Sequence, residues 1–436
     1  SAYDLPLAIG ILAATQIVSE EKLSRYLIIG ELSLDGSIQP IKGALPIAIK
    51  AREDGFEGLI IPQQNAREAA VVNQLKVYGV SNIKEVVEFF NNERELEPTV
   101  VNTREEFYEN QSSFPYDFAD VKGQESVKRA LEVAASGGHN LIMIGSPGSG
   151  KSMMAKCMPS ILPPLSLGES LETTKIHSIA GKLGKDSSLI AIRPFRSPHH
   201  TISQVAMVGG GTNPQPGEIS LAHNGLLFLD ELPEFNRSVL EVLRQPLEDR
   251  YISISRAKYS LDYPASFMLV ASMNPCPCGY YNHPTRACVC NPGQVQRYLN
   301  RISGPLLDRI DIQIEIVPVP FEKMAEQHHA ESSASIRKRV IKARKIQAQR
   351  FANHPGIYCN AQMEAGLLHL YAQPNEAGLK LLQTAMTRLN LSARAYGRIL
   401  KVARTIADLD NSEHITSIHL AEAISYRNLD REDWAG

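Results

Sequence analysis

The stretch NLIMIGSPGSGKSMMAKCM, residues 140–158, decides the fold. It fits the pattern G-x-x-x-x-G-K-[ST] from Gly145 to Ser152, with an apolar strand-like run before it and a helix-forming sequence after it. Its glycines let successive backbone N–H groups curve around phosphate oxygens. A flexible loop without a ligand is the alternative, but a strand before the loop and a helix after it favour a phosphate site. We therefore predict a nucleotide-binding loop.

A second motif supplies the acidic half of this site. The run NGLLFLDEL, residues 224–232, is a buried strand that ends in two carboxylates. We expect Asp230 to hold the water shell of Mg²⁺ together with the Ser152 hydroxyl, and Glu231 to polarise the attacking water. Lys151 is expected to reach the terminal phosphates of ATP. The alternative is a solvated acidic strand end. The predicted ATP-binding residues are Gly145, Ser146, Pro147, Gly148, Ser149, Gly150, Lys151, Ser152, Met153 and Asp230.

A third strand-like run, SFMLVASMNP at residues 266–275, ends in Asn274. The Asn274 amide is placed to orient the water or to contact the γ-phosphate, because it follows the phosphate loop and the acidic strand in chain order. Strand and helix patterns alternate throughout this part of the chain. Such alternation is typical of a parallel sheet with helices on both faces, so the predicted fold class is α/β.

The chain of 436 residues, 43% of them hydrophobic, is long enough for two or three domains. We predict a small α/β domain over 1–92, a polar linker over 93–116, a nucleotide-binding core over 117–322 and a helical lid over 323–436. The core carries a cysteine-rich insertion at 275–292.

Composition and charge exclude several classes of protein. The apolar runs fall short of the roughly 20 residues that a membrane span requires, so no transmembrane helix is expected. The start lacks an initiator methionine and a secretory leader, so we expect a fragment that begins inside a domain. Because the formal net charge is only −2, any contact with nucleic acid must come from local basic patches.

Four of the six cysteines fall within CPCGYYNHPTRACVC, residues 276–290. Two close pairs on one loop can surround a tetrahedral Zn²⁺, and a metal would order an insertion that has little core of its own. The predicted ligands are Cys276, Cys278, Cys288 and Cys290. The alternative is a set of reduced thiols without a metal, because C-x-C is tighter than the usual C-x₂₋₄-C spacing. Either state indicates a reducing compartment.

The nucleotide motifs together resemble those of the AAA+ ATPases. The runs RPFRSPHH at 193–200, ASMNPCPCG at 271–279 and YLNRISGPLLDRIDI at 298–312 narrow this resemblance to the magnesium-chelatase-like ATPases of the ComM (YifB) group. The resemblance covers nearly the whole chain. It implies an AAA+ fold with a helix-2 insertion and a hairpin before sensor 1, a hexameric ring in the bacterial cytoplasm, and DNA helicase and branch-migration activity during natural transformation or recombination.

The resemblance also assigns two arginines. Arg309, in SGPLLDRIDI, corresponds to the arginine finger that one subunit donates to the γ-phosphate of its neighbour. The alternative is an ion pair within the chain, to Asp308 or another acid. Arg394, in LSARAYGRIL, matches the sensor-2 arginine, which reaches back over the nucleotide. Arg398, one turn further along the same face, is the second candidate, and a surface charge on an amphipathic helix is the alternative.

DNA contacts are expected from two basic segments. The alternating run RYISISRAKYSLDYPAS, residues 250–266, predicts a hairpin with Arg256 and Lys258 near its tip, where they would grip phosphates in the channel of a ring. An ordinary solvated hairpin is the alternative. Arg193 and Arg196, close to a glycine-rich run, are predicted as a second DNA contact.

Residues 28–66 resemble the end of a Lon-protease-like domain. A Lon-type site needs a serine nucleophile and a lysine base. The serine position falls in YDLPLAIG, and the lysine position is held by Leu45-Pro46, so a peptidase is not expected. Three hypotheses remain: an ATP-driven DNA translocase, a chelatase-type ATPase that remodels a metal-inserting or other protein partner, and an ATP-dependent protease. The missing serine and lysine disfavour the protease.

Overall fold

The structure is a computed structural model that describes residues 1–184, 188–211, 214–256, 259–319, 330–389 and 391–427. The strands of this described part are β1 (Tyr26–Ile28), β2 (Glu31–Leu32), β3 (Ile38–Gln39), β4 (Gly58–Pro62), β5 (Lys76–Val80), β6 (Leu141–Gly145), β7 (Phe195–Arg196), β8 (Gly209–Gly210), β9 (Gln215–Pro216), β10 (Leu226–Leu229), β11 (Tyr251–Arg256), β12 (Tyr259–Pro264), β13 (Met268–Met273) and β14 (Ile312–Ile316).

The α-helices of the same residues are α1 (Asp4–Ala14), α2 (Ala44–Glu53), α3 (Ala66–Ala69), α4 (Ile83–Phe90), α5 (Thr103–Asn110), α6 (Glu125–Gly137), α7 (Lys151–Ile161), α8 (Leu167–Ala180), α9 (Gln204–Val208), α10 (Glu218–Leu221), α11 (Arg237–Glu241), α12 (Arg244–Asp249), α13 (Pro292–Leu299), α14 (Gly304–Leu307), α15 (Ser333–Arg350), α16 (Ala365–Tyr371), α17 (Glu376–Arg388), α18 (Ala393–Leu409) and α19 (Ser417–Ser425). None of these helices combines the length and the apolar character needed to cross a membrane.

The chain forms two compact units, and the first joins Ser1–Ser112 with Leu165–Ile192. Its core sheet is parallel, in the order β1-β4-β5, and β4 is buried along its whole length. Helix α8 belongs to this unit, because the backbone N–H of Gly43 donates to the Ser178 carbonyl at 3.0 Å and the Ser178 hydroxyl donates to the buried Glu68. Residues 165–192 thus lie outside the compact unit that holds the rest of the predicted core.

The predicted linker at 93–116 is not wholly irregular, because it contains α5. The Phe107 side chain of this helix is buried in the first unit beside Leu165 and Ala191. Glu106 forms an ion pair with Arg67 at 2.8 Å. Because this short helix has a single buried apolar residue, its sequence shows no apolar periodicity, and the pattern did not predict the helix.

The second unit, Ser113–Pro164 with the chain from Arg193 onward, is built on a five-stranded sheet in the order β14-β6-β13-β10-β7. Every neighbouring pair in this sheet is parallel. Strands β6, β10 and β13 are buried at each residue, as expected for a parallel sheet covered on both faces. The carboxyl ends of these three strands carry the phosphate loop, Asp230 and Asn274. The predicted α/β fold class is confirmed.

Two insertions interrupt the alternation of strands and helices. The short hairpin β8–β9 separates α9 from α10 in the segment between β7 and β10. The longer hairpin β11–β12 lies between α12 and β13, and its strands pair from Tyr251 opposite Pro264 to Arg256 opposite Tyr259. Ile252 and Ile254 are buried and fix the base of this hairpin in the core. Both insertions match the AAA+ variant that the family resemblance implies.

The C-terminal helices pack against the sheet unit in one continuous hydrophobic core, which includes residues of α6, β6, α15 and α18. A buried polar network joins the same elements. The Asp311 carboxylate, 1% exposed, accepts from Arg398 Nη1 at 2.7 Å and lies 3.3 Å from His139 Nδ1. Burial raises the pKa of Asp311, but the Arg398 charge and the His139 hydrogen bond outweigh it and hold that pKa well below its usual value.

Candidate nucleotide site

The phosphate loop follows β6 directly and ends where α7 begins at Lys151. Gly148 and Gly150 adopt φ values of +78° and +90°, which turn backbone N–H groups toward one point and which L-residues rarely adopt. Ser149 Oγ is buried and has no hydrogen-bond partner among the described residues. An unsatisfied hydroxyl beside the N-terminus of α7 fits a phosphate group.

Lys151 holds the loop closed through its ammonium group. Its Nζ donates to the Gly145 carbonyl at 2.7 Å, to the Ser146 carbonyl at 2.9 Å and to Asn274 Oδ1 at 3.3 Å. Burial lowers the pKa of Lys151, while the nearby Asp230 and Glu231 charges act in the opposite direction. The structure therefore brings the predicted phosphate lysine and the predicted sensor asparagine into direct contact.

Ser152 and Asp230 form the predicted magnesium position. The Ser152 hydroxyl donates to Asp230 Oδ2 at 2.8 Å, and the other Asp230 oxygen accepts from the Ser272 hydroxyl. A hydroxyl and a carboxylate are hard oxygen ligands, so this donor set fits Mg²⁺. When bound, Mg²⁺ would neutralise charge on the β- and γ-phosphates. Ser272 thus fixes the orientation of the Asp230 carboxylate.

Glu231 lies next to Asp230 with a left-handed backbone, φ +54°, which turns its side chain away from the strand. The side chain is 54% exposed, and one of its oxygens is 3.9 Å from His200 Nδ1. The Glu231 N–H points at Ser272 Oγ, 3.3 Å away. Sequence reasoning missed Ser272 and the contact to His200. Ser272 lies in β13 only two residues before Asn274, which is a local signal, whereas the His200 contact depends on tertiary packing.

Arg309 and Arg394 line a second cavity of about 590 Å³. Arg309 Nη2 is 2.5 Å from Glu248 Oε1, and its Nη1 donates to the Pro305 carbonyl at 2.6 Å. Its buried Nε has no hydrogen-bond partner among the described residues. Arg394 Nη1 donates to Asp308 Oδ2 at 3.0 Å. Within one chain, both arginines are thus held by acidic side chains of the same cavity.

This cavity lies at the amino ends of the strands, whereas the phosphate loop lies at their carboxyl ends. Strands β14 and β6 run parallel, with Ile312 opposite Leu141 and Ile316 opposite Gly145. Arg309 precedes β14, whereas the phosphate loop follows β6, so a strand of five residues separates them. At about 3.3 Å per residue this is roughly 16 Å, beyond the reach of an arginine side chain. Arg394 lies at the same end of the strands as Arg309, so it does not reach back over the phosphates of its own chain.

Comparison with known proteins identifies the family of this chain. Residues 117–324 match the family described as magnesium chelatase, subunit ChlI, residues 330–427 match its C-terminal family, and residues 1–65 match the family described as subunit ChlI of Mg-chelatase. The chain is 42% identical to competence protein ComM of Haemophilus influenzae, over 98% of this chain and 83% of that protein. The chain belongs to the magnesium-chelatase-like AAA+ ATPases of the ComM (YifB) family. The resemblance inferred from the motifs is confirmed.

One further relative fits this ComM-family assignment, and another shares a shorter stretch of similarity. The YifB protein of Salmonella typhimurium is 42% identical, over 98% of this chain and 82% of that protein. Lon protease 2 of Bacillus subtilis is 30% identical over only 34% of this chain and 28% of that protein. As a member of an AAA+ ATPase family, the chain is an ATPase that uses ATP and Mg²⁺, and the oxygen ligands described above fit both.

The predicted DNA-contacting arginines differ in their surroundings. In this ComM-family chain Arg193 donates to the carbonyls of Pro163, Asn224 and Pro164, at 2.7, 2.8 and 3.3 Å. Arg196 forms a bidentate ion pair with Glu218, in which its Nε donates to Oε2 at 2.6 Å and its Nη2 donates to Oε1 at 2.7 Å. Both guanidinium groups are engaged inside the chain. Lys258 and the side chain of Arg256 lie outside the described residues.

The four predicted metal-binding cysteines lie together, with all Sγ atoms within 4.8 Å of one another. Cys276 Sγ is 3.3 Å from Cys278 Sγ and 3.7 Å from Cys288 Sγ. The Cys290 N–H points at Cys288 Sγ, 3.4 Å away. Burial raises the pKa of Cys278, but backbone N–H groups of Val289 and Tyr280 outweigh it and lower that pKa to about 6, which favours a thiolate. The ComM-family chain therefore carries a cluster that can bind a metal.

Proposed function

We propose that this ComM-family protein is an ATP-driven DNA translocase that works as a hexameric ring and promotes branch migration during natural transformation or recombination. The separation of Arg309 and Arg394 from the phosphate loop of their own chain carries the proposal. A site that needs these cations can be completed only by another subunit, as in ring ATPases. The name of the competence protein that covers 98% of this chain supports the link to DNA uptake, and its bacterial source supports the cytoplasm as the location.

The proposed hydrolysis cycle assigns one task to each group. Lys151 exchanges its bonds to the Gly145 and Ser146 carbonyls for bonds to phosphate. Glu231 accepts a proton from the attacking water, which Asn274 orients. Arg309 of the neighbouring subunit exchanges its pair with Glu248 for the γ-phosphate and offsets charge that develops there.

The proposed DNA contact is the β11–β12 hairpin. Its base is fixed by buried residues, and its tip segment carries Arg256 and Lys258 in the sequence. Two cations in this segment would contact backbone phosphates, and such a contact is independent of base sequence. Because Arg193 and Arg196 already have partners within the chain, the proposal rests on the hairpin and not on them.

The cysteine cluster is proposed to hold one structural Zn²⁺. Tetrahedral zinc with Zn–S distances of about 2.3 Å places its sulfurs about 3.8 Å apart, close to the separations among Cys276, Cys278 and Cys288. Four thiolates are the donor set of closed structural zinc sites.

The decisive experiment measures ATP hydrolysis with no DNA, single strands, duplex and a branched junction, together with strand separation on the junction. We expect DNA to stimulate hydrolysis and the junction to be resolved only with ATP. A chelatase-type remodelling ATPase is the second candidate, because residues 117–324 match the chelatase subunit family. Hydrolysis that ignores DNA, with no strand separation, would favour that candidate.

A further inference from the structure

The cysteine loop begins immediately beside the catalytic machinery. Asn274, whose Oδ1 accepts from Lys151 Nζ at 3.3 Å, is separated from Cys276 only by Pro275. Pro275 and Cys276 are both buried. Any shift of the Cys276 thiolate is therefore transmitted through two peptide bonds to the asparagine that contacts the phosphate lysine.

The loop also contacts the phosphate loop directly. Gly279 has φ +83°, and a Cβ built on it would lie 2.5 Å from Pro147 Cδ and 2.8 Å from Pro147 Cγ. Only glycine at this position leaves room for the Pro147 ring without a clash. Beyond Gly279, Tyr281 and His283 face Gly145 and Ser146 across a narrow pocket. The cysteine loop thus packs against one side of the phosphate loop.

The cysteine loop has almost no hydrophobic core of its own. Between β13 and α13, a stretch that the structure describes completely, the chain forms no helix or strand. From Cys276 to Cys290 only Cys276 and Gly279 are buried, and Val289 is 84% exposed. Apolar burial is too small to order such a segment, so its position depends on whatever joins the four thiolates.

From these contacts we infer that metal binding at the cysteine cluster controls the affinity of the phosphate loop for nucleotide. With the metal bound, Cys276 and Cys278 hold Gly279 against Pro147 and fix Asn274 beside Lys151. Without the metal, the cysteine loop loosens and the phosphate loop loses its support. The inference rests on the zinc site proposed above, and it adds that this site regulates the nucleotide pocket.

The first test compares metal content with nucleotide affinity in the full chain. Zinc is measured by elemental analysis, and binding of a fluorescent ATP analogue with Mg²⁺ is titrated before chelation, after removal of zinc and the chelator, and after zinc is restored. We expect about one Zn²⁺ per chain, about tenfold or more weaker binding when it is removed, and recovery on its return, a change of about 1.4 kcal/mol or more. Recovery shows that the chain had not simply unfolded.

The second test separates the contact from the metal. Gly279→Ala keeps all four cysteines but drives a methyl group into Pro147, so it should retain zinc and still weaken binding of the ATP analogue by about tenfold. Gly356→Ala is the matched control, because Gly356 has φ +85° and no atom within 4 Å of the added Cβ. It should retain both zinc and normal affinity.

Distinct results overturn the two proposals. Freshly purified, reduced protein without stoichiometric zinc would overturn the zinc site itself. Stoichiometric zinc, with unchanged nucleotide affinity both after chelation and in Gly279→Ala, would leave the zinc site standing and overturn its control of the phosphate loop. Loss of zinc in the double variant Cys276→Ser, Cys288→Ser assigns the metal to this cluster, and retention of zinc there would overturn the assignment.

Discussion

At the scale of single residues, Glu231 can be separated from the rest of the nucleotide site. Its neighbours Lys151 and Asp230 are held by other partners, whereas the Glu231 carboxylate is more than half exposed. Glu231→Gln should therefore bind ATP normally but hydrolyse it about 10²–10⁴-fold more slowly, because an amide cannot accept the proton of the water. Steady-state hydrolysis and titration with an ATP analogue measure the two effects.

Glu234→Gln provides the control for this substitution. Glu234 lies three residues further on, is similarly exposed and pairs with Arg301 at 3.0 Å. It should hydrolyse ATP at the rate of the unaltered protein. Normal turnover in Glu231→Gln, or equal loss in both variants, would remove Glu231 from the catalytic assignment.

The positions of residues were predictable where the signal is local. The phosphate loop, Asp230 and Asn274 each follow a recognisable buried strand, so chain order alone assigned them. The partner of Arg309 was not predictable in the same way. Glu248 is sixty-one positions away in the chain, and only the packing of α12 against the turn before β14 brings it to 2.5 Å.

At the scale of elements, the hairpin β11–β12 should act as a separate DNA contact. Replacing Arg256 and Lys258 by alanine should weaken DNA binding and reduce the salt slope, log Kobs against log [salt], by about 1.8 for duplex DNA, because two fewer counterions are released. Basal hydrolysis of ATP should persist. Filter binding or anisotropy at several salt concentrations measures both quantities.

Removal of two exposed cations elsewhere gives the matching control. Lys84 and Arg94, in the first unit, are 78% and 50% exposed and pair only weakly with Glu88, at 3.6 and 3.8 Å. Their double alanine variant changes the net charge equally and should leave DNA affinity and salt slope unchanged. If both double variants bind DNA alike, the hairpin has no special role.

The network of Asp311, Arg398 and His139 should fix the lid helix α18 to the sheet. Asp311→Asn leaves the largely buried Arg398 charge without its partner, which should lower the free energy of unfolding by about 3–5 kcal/mol. Asp308→Asn breaks only the exposed pair to Arg394 and should cost about 1 kcal/mol or less. Urea denaturation compares the two, and equal costs would contradict the docking role.

Element prediction succeeded where the pattern was long and regular, as in the strands of the parallel sheet and the helices α15 and α18. It was incomplete where an element depends on distant packing. Helix α8 joins the first unit through Gly43, Glu68 and Ser178, contacts that no period in the sequence of 165–192 indicates. The short helix α5 likewise depends on burial of Phe107.

At the scale of the whole molecule, two inactive variants should complement each other. Lys151→Ala should lose nucleotide binding but keep its arginine, and Arg309→Ala should keep its pocket but lose the finger, a loss of about 10³–10⁵ in rate. Each alone should be nearly inactive. Mixed assemblies should regain part of the hydrolysis rate, because an Arg309→Ala pocket beside an intact Arg309 is complete.

Co-expression with two different tags, followed by tandem purification, isolates the mixed assemblies for this assay. Each variant purified alone serves as the control. An absence of recovery in verified mixed assemblies would assign Arg309 to its pair with Glu248 within the chain.

Because Arg309 and the phosphate loop lie at opposite ends of the strands, each subunit has two different surfaces, one with the arginine and one with the phosphate loop. Under the proposed function, Arg309 of one subunit serves the phosphate loop of the next, so the subunits associate head to tail. In an open linear assembly, one terminal subunit has an Arg309 without a neighbouring nucleotide site and the other has a nucleotide site without a neighbouring Arg309. Only closure into a ring pairs both. The hydrolysis rate per subunit should therefore increase with protein concentration as open assemblies close into rings.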